Sequence, residues 1–176
     1  MDFFQLITVR ESCRNYTGEA VPREKLEAIL NAARMAPSAC NSQPWSFVIA
    51  DSPDATRHAA ECVQEGGANR FTDKAPAFII VLEEHAKLSP RIADKMDSQH
   101  FAQIDIGLVT AHICLAASAL GLGTCIMGLF NEEKTKSYFN IPADKRVRLI
   151  ISVGYSADQE PRKKSRKTLE EIAQFV

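Results

Sequence analysis

Pro-Ser-Ala-Cys-Asn-Ser-Gln-Pro-Trp, at residues 37–45, separates two different kinds of sequence in this chain. Before it, apolar residues at helical spacing predict a helix over residues 22–35, which Pro37 ends because a residue before proline disfavours the helical conformation. After it, the short apolar run 45–50 predicts a strand. The small polar residues between them predict an exposed loop that offers hydrogen-bonding groups to a planar polar ligand.

A second stretch, Arg-Glu-Ser-Cys-Arg at residues 10–14, places two guanidinium groups four residues apart with the Ser12 hydroxyl between them. On a helix, like charges at this spacing oppose each other by roughly 0.2–0.5 kcal/mol. A bound anion would turn that repulsion into attraction, because guanidinium forks match phosphate oxygens. The stretch therefore predicts a phosphate site, and the simpler alternative is an amphipathic helix with a solvated arginine face.

Composition limits the class of protein. A length of 176 residues fits one domain over 1–176, and 21 basic against 22 acidic residues argue against nucleic acid as the main partner. The N-terminus lacks the features of a signal peptide, so we expect a cytoplasmic protein. Five cysteines without a C-x-x-C pair predict neither a disulfide framework nor a metal site.

The longest apolar run covers residues 104–122. A membrane span needs about 20 mostly apolar residues, and four polar side chains interrupt this run: Asp105, Thr110, His112 and Ser118. The run therefore predicts a central core helix, and no membrane partner is expected.

The remaining sequence mixes helix and strand patterns without a regular alternation. Helices are predicted over residues 2–9, 22–35, 51–65 and after a capping Asn131, and strands over 45–50, 75–82 and 147–153, the last with one buried face. Residues 83–100 are polar and poorly periodic, which indicates a flap or a short helix with loops. This mixture favours an α+β fold over a doubly wound parallel sheet.

Four landmarks together resemble one known family, the FMN-dependent nitroreductases, in their short bacterial and archaeal branch. They are Arg10-x-Ser12-x-Arg14, Pro37-Ser38-x-x-Asn41-x-Gln43-Pro44-Trp45, Gly121-Leu122-Gly123 followed by Gly128, and Lys164-Ser165-Arg166. The resemblance runs nearly end to end. It implies a mainly antiparallel central sheet flanked by helices, in an intertwined homodimer with FMN at the subunit interface.

The resemblance also implies roles for single residues. Arg10, Ser12 and Arg14 would hold the flavin phosphate and the pyrimidine end of the ring. Lys164 and Arg166 would form a second phosphate clamp, which leaves three neighbouring cations, Arg162, Lys163 and Lys167, as surface residues.

The flavin ring itself would be contacted elsewhere. Pro37, Ser38 and Asn41 match a loop that the partner subunit places against the isoalloxazine. Met127 and Gly128 match the position where a backbone N–H meets flavin N5, although the larger branch of the family has an acidic residue before this glycine. The remaining candidate contact is Asn69.

The implied function is an oxidoreductase in which NADH or NADPH reduces bound FMN by ping-pong hydride transfer. The electrons then pass to a small-molecule acceptor such as a nitroaromatic or quinone. The flavin would carry the chemistry, so no catalytic side chain is predicted. Two alternatives stay open: a flavin-binding redox sensor or storage protein, and a thiol hydrolase that uses Cys40.

Overall fold

A computed structural model describes residues 1–93 and 97–176 of the chain. Its helices are α1 Phe3–Val9, α2 Arg23–Ala33, α3 Pro53–Val63, α4 Pro90–Ala93, α5 Ser98–Ala119, α6 Glu132–Tyr138 and α7 Leu169–Ile172. Its strands are β1 Trp45–Ala50, β2 Ala77–Glu83, β3 Gly123–Met127 and β4 Arg146–Gly154. Short 3-10 turns lie at Ala39–Asn41, Glu65–Gly67 and Arg70–Lys74.

The four strands form one sheet in the order β1-β2-β4-β3, and each neighbouring pair is antiparallel. In the register, Trp45 lies opposite Glu83, and Ala77 lies opposite Val153. Central strand β2 is buried along its whole length. The α+β prediction with a mainly antiparallel sheet is confirmed.

Apolar layers cover both faces of the sheet. On one face Phe78 and Ile80 of β2 meet α3 and the segment that follows α6. On the other face Ile79 and Val81 meet α2 and α5. Strand β2 therefore lies at the centre of the core, with one helical layer packed on each of its faces.

Strand β4 is buried on both faces, so the prediction of one buried face is wrong. Ile150 belongs to the first layer and Ile151 to the second, and the intervening polar Ser152 is fully buried as well. The Ser152 hydroxyl satisfies its hydrogen-bonding groups with the Tyr16 hydroxyl at 2.8 Å. The alternating pattern predicted that Ser152 faces solvent. Its hydrogen bond with the buried Tyr16 hydroxyl explains why this polar side chain is stable in the core.

Helix α5 is long and apolar enough, by length and composition, to cross a membrane. In this fold it packs instead between α2 and the sheet through Ile106, Val109 and Ile113, as predicted for a core helix. Its opposite face exposes Ile104 and Leu108.

Local capping explains where several helices begin. The Asp2 side chain accepts from Gln5 N–H, the Ser52 hydroxyl from Ala55 N–H, and the Asn131 side chain from Lys134 N–H. Helix α3 is accordingly shorter than the predicted range 51–65. Pro22 caps α2 rather than opening its first turn.

Residues 10–14 are extended and not helical, which corrects the predicted i, i+4 arrangement. Helix α1 ends at Val9, and Ser12 then pairs in parallel with Thr124 at the free edge of β3. The Cys13 N–H donates to the Thr124 carbonyl at 2.8 Å. Because the sheet edge satisfies this backbone, the solvated arginine helix is excluded as an alternative.

The predicted flap 83–100 divides among several elements. Glu83 closes β2, α4 covers Pro90–Ala93, and α5 begins at Ser98, while residues 94–96 lie outside the described residues. The Gln99 side chain fastens the start of α5 by accepting from Ala86 N–H at 2.8 Å and donating to Glu83.

Candidate functional site

One surface pocket of about 350 Å³ joins two landmarks that lie some 150 residues apart in sequence. We call its lining the basic cluster: Arg10, Glu11, Ser12, Arg14, Arg162, Lys163, Lys164, Ser165 and Arg166. Six cationic side chains face one carboxylate there. Such an excess of positive charge is complementary to a dianionic phosphate.

Arg162 holds the two halves of the basic cluster together, although the sequence indicated only a surface residue. Its backbone N–H and its Nε both donate to Glu11 Oε2, at 3.1 and 3.3 Å. Its guanidinium also donates to the Ser12 carbonyl. These contacts fix the C-terminal segment beside the extended segment 10–14.

Lys164 occupies the end of α1, where it donates to the Thr8 carbonyl. The last carbonyls of a helix lack partners within the helix and carry partial negative charge, so a cation is stabilised there. Arg166 donates to the neighbouring Ser165 carbonyl at 2.6 Å. Both side chains predicted to form the second clamp therefore lie in the same pocket as Arg10.

The arginines of the cluster also act on two buried thiols, Cys125 in β3 and Cys114 in α5. Burial raises the pKa of the Cys125 thiol in β3, while the positive charges of Arg14 and Arg162 act to lower it. Burial likewise raises the pKa of Cys114, with Arg10 acting in the opposite direction. The positive charges of the cluster thus favour the anionic form of groups in α5 and β3 as well as of a ligand in the pocket.

Residues 37–43, which we call the positive-φ loop, have an unusual backbone. Cys40, Asn41 and Gln43 have φ angles of 52°, 52° and 48°. Asparagine tolerates this left-handed region, whereas other side chains there cost on the order of 1–2 kcal/mol. A loop held in such a conformation must be fixed by its surroundings.

Several hydrogen bonds supply that restraint. The Ser38 hydroxyl accepts from Gln43 N–H at 2.9 Å, and the Ser42 hydroxyl accepts from Lys87 N–H at 2.7 Å. The Ala39 N–H donates to both carboxylate oxygens of Asp105, at 3.2 and 3.1 Å. The predicted contact residues Pro37 and Asn41 stay exposed, and Ser38 is half-buried.

The positive-φ loop does not line the pocket of the basic cluster. One chain therefore brings Arg10, Ser12, Arg14, Lys164 and Arg166 together but leaves Pro37, Ser38 and Asn41 outside that pocket.

Met127 and Gly128 lie at the end of β3, the strand on which segment 10–14 pairs. The Met127 side chain is buried in the core, and Gly128 is exposed with open space where a Cβ atom would stand. At about 3.3 Å per residue, Gly128 lies roughly 13 Å beyond Thr124 along the same edge. Because the pairing of Ser12 with Thr124 is parallel, the chain runs from Ser12 through Arg14 toward Gly128.

The Nitroreductase family model matches residues 7–155, which is most of the chain. The chain belongs to this family. An Archaeoglobus fulgidus protein, provisionally named an NADH dehydrogenase/NAD(P)H nitroreductase, is 31% identical over 160 residues, covering 89% of this chain and 86% of its own length.

Solved structures agree with this membership. A nitroreductase family protein from Clostridium difficile 630 is 30% identical with a TM-score of 0.83, covering 99% of this chain and 98% of that chain. An FMN-dependent nitroreductase from Clostridium difficile R20291 is 25% identical with a TM-score of 0.79, covering 98% of both chains. The predicted family and fold are confirmed.

Asn69 has a local structural role in this member of the nitroreductase family. Its side-chain amide donates to the Val63 carbonyl at the end of α3, at 2.9 Å, and its own carbonyl accepts from the Thr72 hydroxyl. Its φ of 49° places it in the left-handed region. Asn69 does not line the basic cluster, so its predicted flavin contact rests on the resemblance alone.

Cys40 differs from the other four cysteines because it is exposed, whereas Cys13, Cys62, Cys114 and Cys125 are buried. Within residues 1–93 and 97–176, no hydrogen bond joins Cys40 to a histidine. A thiol–imidazole pair, which the thiol hydrolase alternative requires, is therefore not formed at Cys40 in the described part of the chain.

Sequence reasoning missed two residues that organise these sites, Arg162 and Asp105. Arg162 stood within a run of basic residues, and only its contacts with Glu11 and the Ser12 carbonyl in the fold distinguish it from its neighbours. Asp105 carried a usable signal, since it is a carboxylate inside the most apolar stretch of the chain. Its partner, Ala39, lies 66 residues away and has no distinguishing side chain.

Proposed function

We propose that this nitroreductase family member binds FMN and is an NAD(P)H-dependent oxidoreductase. The observation that carries the proposal is the basic cluster, which gathers Arg10, Arg14, Lys164 and Arg166 in one pocket beside the edge of β3. A phosphate monoester with two negative charges matches this donor set, because guanidinium and ammonium groups form strong charge-assisted hydrogen bonds with phosphate oxygens. The FMN-dependent relative from C. difficile R20291 supports the choice of FMN.

Bound FMN would supply two-electron chemistry, taking hydride from NADH or NADPH at N5 and then delivering electrons to a nitroaromatic, quinone or similar conjugated acceptor in a ping-pong cycle. The protein's side chains bind and orient. Arg10, Ser12, Lys164 and Arg166 would hold the phosphate, and Arg14 would lie toward the ring, where a fixed cation favours a reduced, anionic flavin. The exposed Gly128 at the end of β3 matches the position where the resemblance places a backbone N–H against flavin N5.

We also propose that the functional unit is a homodimer, with the positive-φ loop of one subunit lying against the flavin of the other. Apolar side chains are exposed on three elements: Phe3, Phe4 and Ile7 on α1, Ile104 and Leu108 on α5, and Leu169, Ile172, Phe175 and Val176 at the C-terminus. Large exposed apolar areas mark interaction surfaces. A second copy of the chain would cover them and bring the loop to the basic cluster.

The first test is the visible absorbance spectrum of the purified protein, recorded before and after NADH or NADPH is added without oxygen. We expect flavin bands that bleach on reduction. A colourless protein that also fails to take up added FMN would contradict the proposal. Full flavin occupancy in a Cys40→Ser variant would exclude the thiol hydrolase.

Turnover separates an enzyme from a flavin-binding sensor or storage protein. A steady-state assay with NADH and menadione is expected to show a rate well above that of an equal concentration of free FMN. A rate below that of free FMN would favour the sensor or storage role.

Truncation tests the homodimer. Removal of residues 168–176 deletes the exposed apolar C-terminus but leaves the basic cluster intact. We expect the truncated protein to elute as a monomer or to lose FMN, measured by light scattering and absorbance. A flavin-replete dimer after truncation would contradict the proposed role of this segment.

A further inference from the structure

Asp105 is a carboxylate in a place where carboxylates are costly. It lies within the apolar helix α5 and is only 4% exposed, and its helix neighbours Ile106 and Val109 pack into the core. No ion pair to Asp105 is formed within the described part of the chain. Buried carboxyl oxygens need hydrogen-bond donors, and here the donor is the Ala39 N–H, shared between both oxygens.

This contact caps a helical turn from another element of the fold. Ala39 opens the turn Ala39–Asn41, whose first N–H groups have no partner within the turn. The caps of α1, α3 and α6 come from residues immediately before each helix. Asp105 instead reaches the turn from 66 residues away, so the contact orients the loop relative to the core.

The restrained segment is the one with the unusual backbone. Cys40 and Asn41, directly after Ala39, both have positive φ, as does Gln43 two residues later. Without restraint, Cys40 and Gln43 would return to negative φ angles, because side chains other than asparagine disfavour the left-handed region. The hydrogen bond between Ala39 and Asp105 of α5 restrains the backbone directly before these residues.

The geometry points to Asp105 as a positioning residue that sets the conformation of the positive-φ loop and thereby the affinity of the flavin site. The inference rests on the proposed function, in which this loop lies against FMN. Asp105 also connects the loop to the proposed subunit interface. The preceding residue, Ile104, is exposed on the face of α5 that we propose meets the partner. One helix thus carries both the loop's anchor and part of the subunit contact.

Two substitutions of matched shape test the role. Asp105→Leu keeps the branched side chain in its apolar surroundings but removes both acceptors. Asp105→Asn keeps one oxygen that accepts from Ala39 N–H. We expect the Leu variant to bind FMN about tenfold more weakly or worse, and the Asn variant to stay within about threefold of the wild type.

A control variant comes from the same helix. Thr110 is buried in α5, and its hydroxyl has no hydrogen-bond partner within residues 1–93 and 97–176. Thr110→Val therefore also exchanges a buried polar group for an apolar one, and it removes no hydrogen bond to the loop. Its FMN affinity is expected to match the wild type, which separates a specific tether from general disturbance of the core.

Amide hydrogen exchange on FMN-free protein provides a readout independent of flavin. Exchange across residues 39–43 should accelerate at least tenfold in Asp105→Leu and stay near wild type in Asp105→Asn and Thr110→Val. Unchanged exchange in the Leu variant would overturn the tether. Faster exchange with unchanged FMN affinity and unchanged visible circular dichroism of bound flavin would overturn the link to the site.

Failure of the proposed function gives a different pattern. A wild-type protein that takes up no FMN would refute flavin binding and with it the link to the site, while exchange in the Leu and Asn variants would still decide whether Asp105 fixes the loop. If Asp105→Leu does not fold, Asp105→Ala replaces it against the same Asn and Val controls.

Discussion

The basic cluster and the positive-φ loop hold their shape by different physical means. The basic cluster is dominated by long charged side chains on two segments outside the helices, and most of these side chains are exposed. The positive-φ loop consists of short side chains whose backbone is fixed by buried or half-buried partners, Asp105 and Ser38 among them. Charge defines the first region and backbone conformation defines the second.

This difference affects how each region responds to change. Interactions between exposed charges are screened by salt and are distributed over several residues. A loop at positive φ depends on which side chains tolerate that conformation, so one β-branched substitution strains its backbone. Flavin binding should therefore respond to ionic strength through the first region and to side-chain branching through the second.

The largest expected effect comes from removing charge. The double variant Arg10→Ala/Arg166→Ala should weaken FMN binding by about 100-fold or more, because each hydrogen bond to a charged group contributes roughly 1.5–3 kcal/mol. Folding should change little, since Arg166 is exposed and its hydrogen bond within residues 1–93 and 97–176 goes to its neighbour's carbonyl. Fluorescence titration of FMN and thermal unfolding measure the two quantities.

Lys167→Ala is the matched control for that double variant, since Lys167 is an exposed cation that does not line the pocket. It should bind FMN within about twofold of the wild type, as expected for an exposed surface charge. Unaltered FMN affinity in the double variant would show that the cluster is not the phosphate site.

A second effect concerns the backbone at Cys40, where φ is 52°. Cys40→Val should lower the free energy of unfolding by about 1–2 kcal/mol, because a β-branched side chain is disfavoured in the left-handed region. Cys40→Ser has the same shape as cysteine and should stay near wild type. Urea unfolding of the FMN-free proteins measures both, and equal stability of the two variants would mean that the loop is not restrained.

Salt titration then distinguishes the regions with one measurement. Raising NaCl from about 50 to 500 mM should weaken FMN binding several-fold in the wild type, because the Debye length falls well below the size of the site. Cys40→Val should show the same dependence, whereas the Arg10/Arg166 double variant should lose most of it. Equal salt dependence in all three proteins would show that Arg10 and Arg166 are not the source of the electrostatic contribution to FMN binding.

The sequence predicted most elements of this fold because their signals are local. Ser52 and Pro53 begin α3, Asn131 begins α6, and a continuous apolar run forms β2. The sheet order could not be predicted in the same way, since it depends on contacts between distant strands. The helical interpretation of residues 10–14 failed for this reason: Thr124, more than a hundred residues away, pairs with Ser12 and extends the segment.

The site could be predicted in part from residue type. Arginines and lysines at two distant places indicated a phosphate pocket, and the structure brings them together. The positive φ of Cys40 and Gln43 has no signal in the residues themselves, because neither type favours that conformation. Asp105 was visible only as a polar interruption of an apolar run, and the partner that explains it is a backbone N–H.

The smallest expected effect is the acid sensitivity that comes from Glu132, which lies outside both regions. Glu132 in α6 accepts from Val147 N–H at 3.0 Å and lies 3.1 Å from the Lys136 ammonium. Burial acts to raise its pKa, but these two contacts outweigh burial and leave the pKa lowered. Its contribution to stability is thus present above about pH 4.3 and is lost as pH falls through the lowered value.

Glu132→Gln should accordingly destabilise the protein at pH 7 by less than about 1 kcal/mol, since the side chain is partly exposed and screened. The difference from wild type should shrink by about pH 3, measured by urea unfolding at both pH values. The Arg10/Arg166 double variant should lose stability on acidification as the wild type does. A constant difference between Glu132→Gln and wild type across this range would contradict the assignment.

The pairing of Ser12 with Thr124 also has a consequence for solubility. An uncovered edge strand offers unpaired amide and carbonyl groups to any other extended chain and so favours aggregation. Here the Cys13 N–H already takes up the Thr124 carbonyl. The segment that carries Arg10 and Arg14 therefore also protects β3 from pairing with other chains, and substitutions that detach it should promote aggregation.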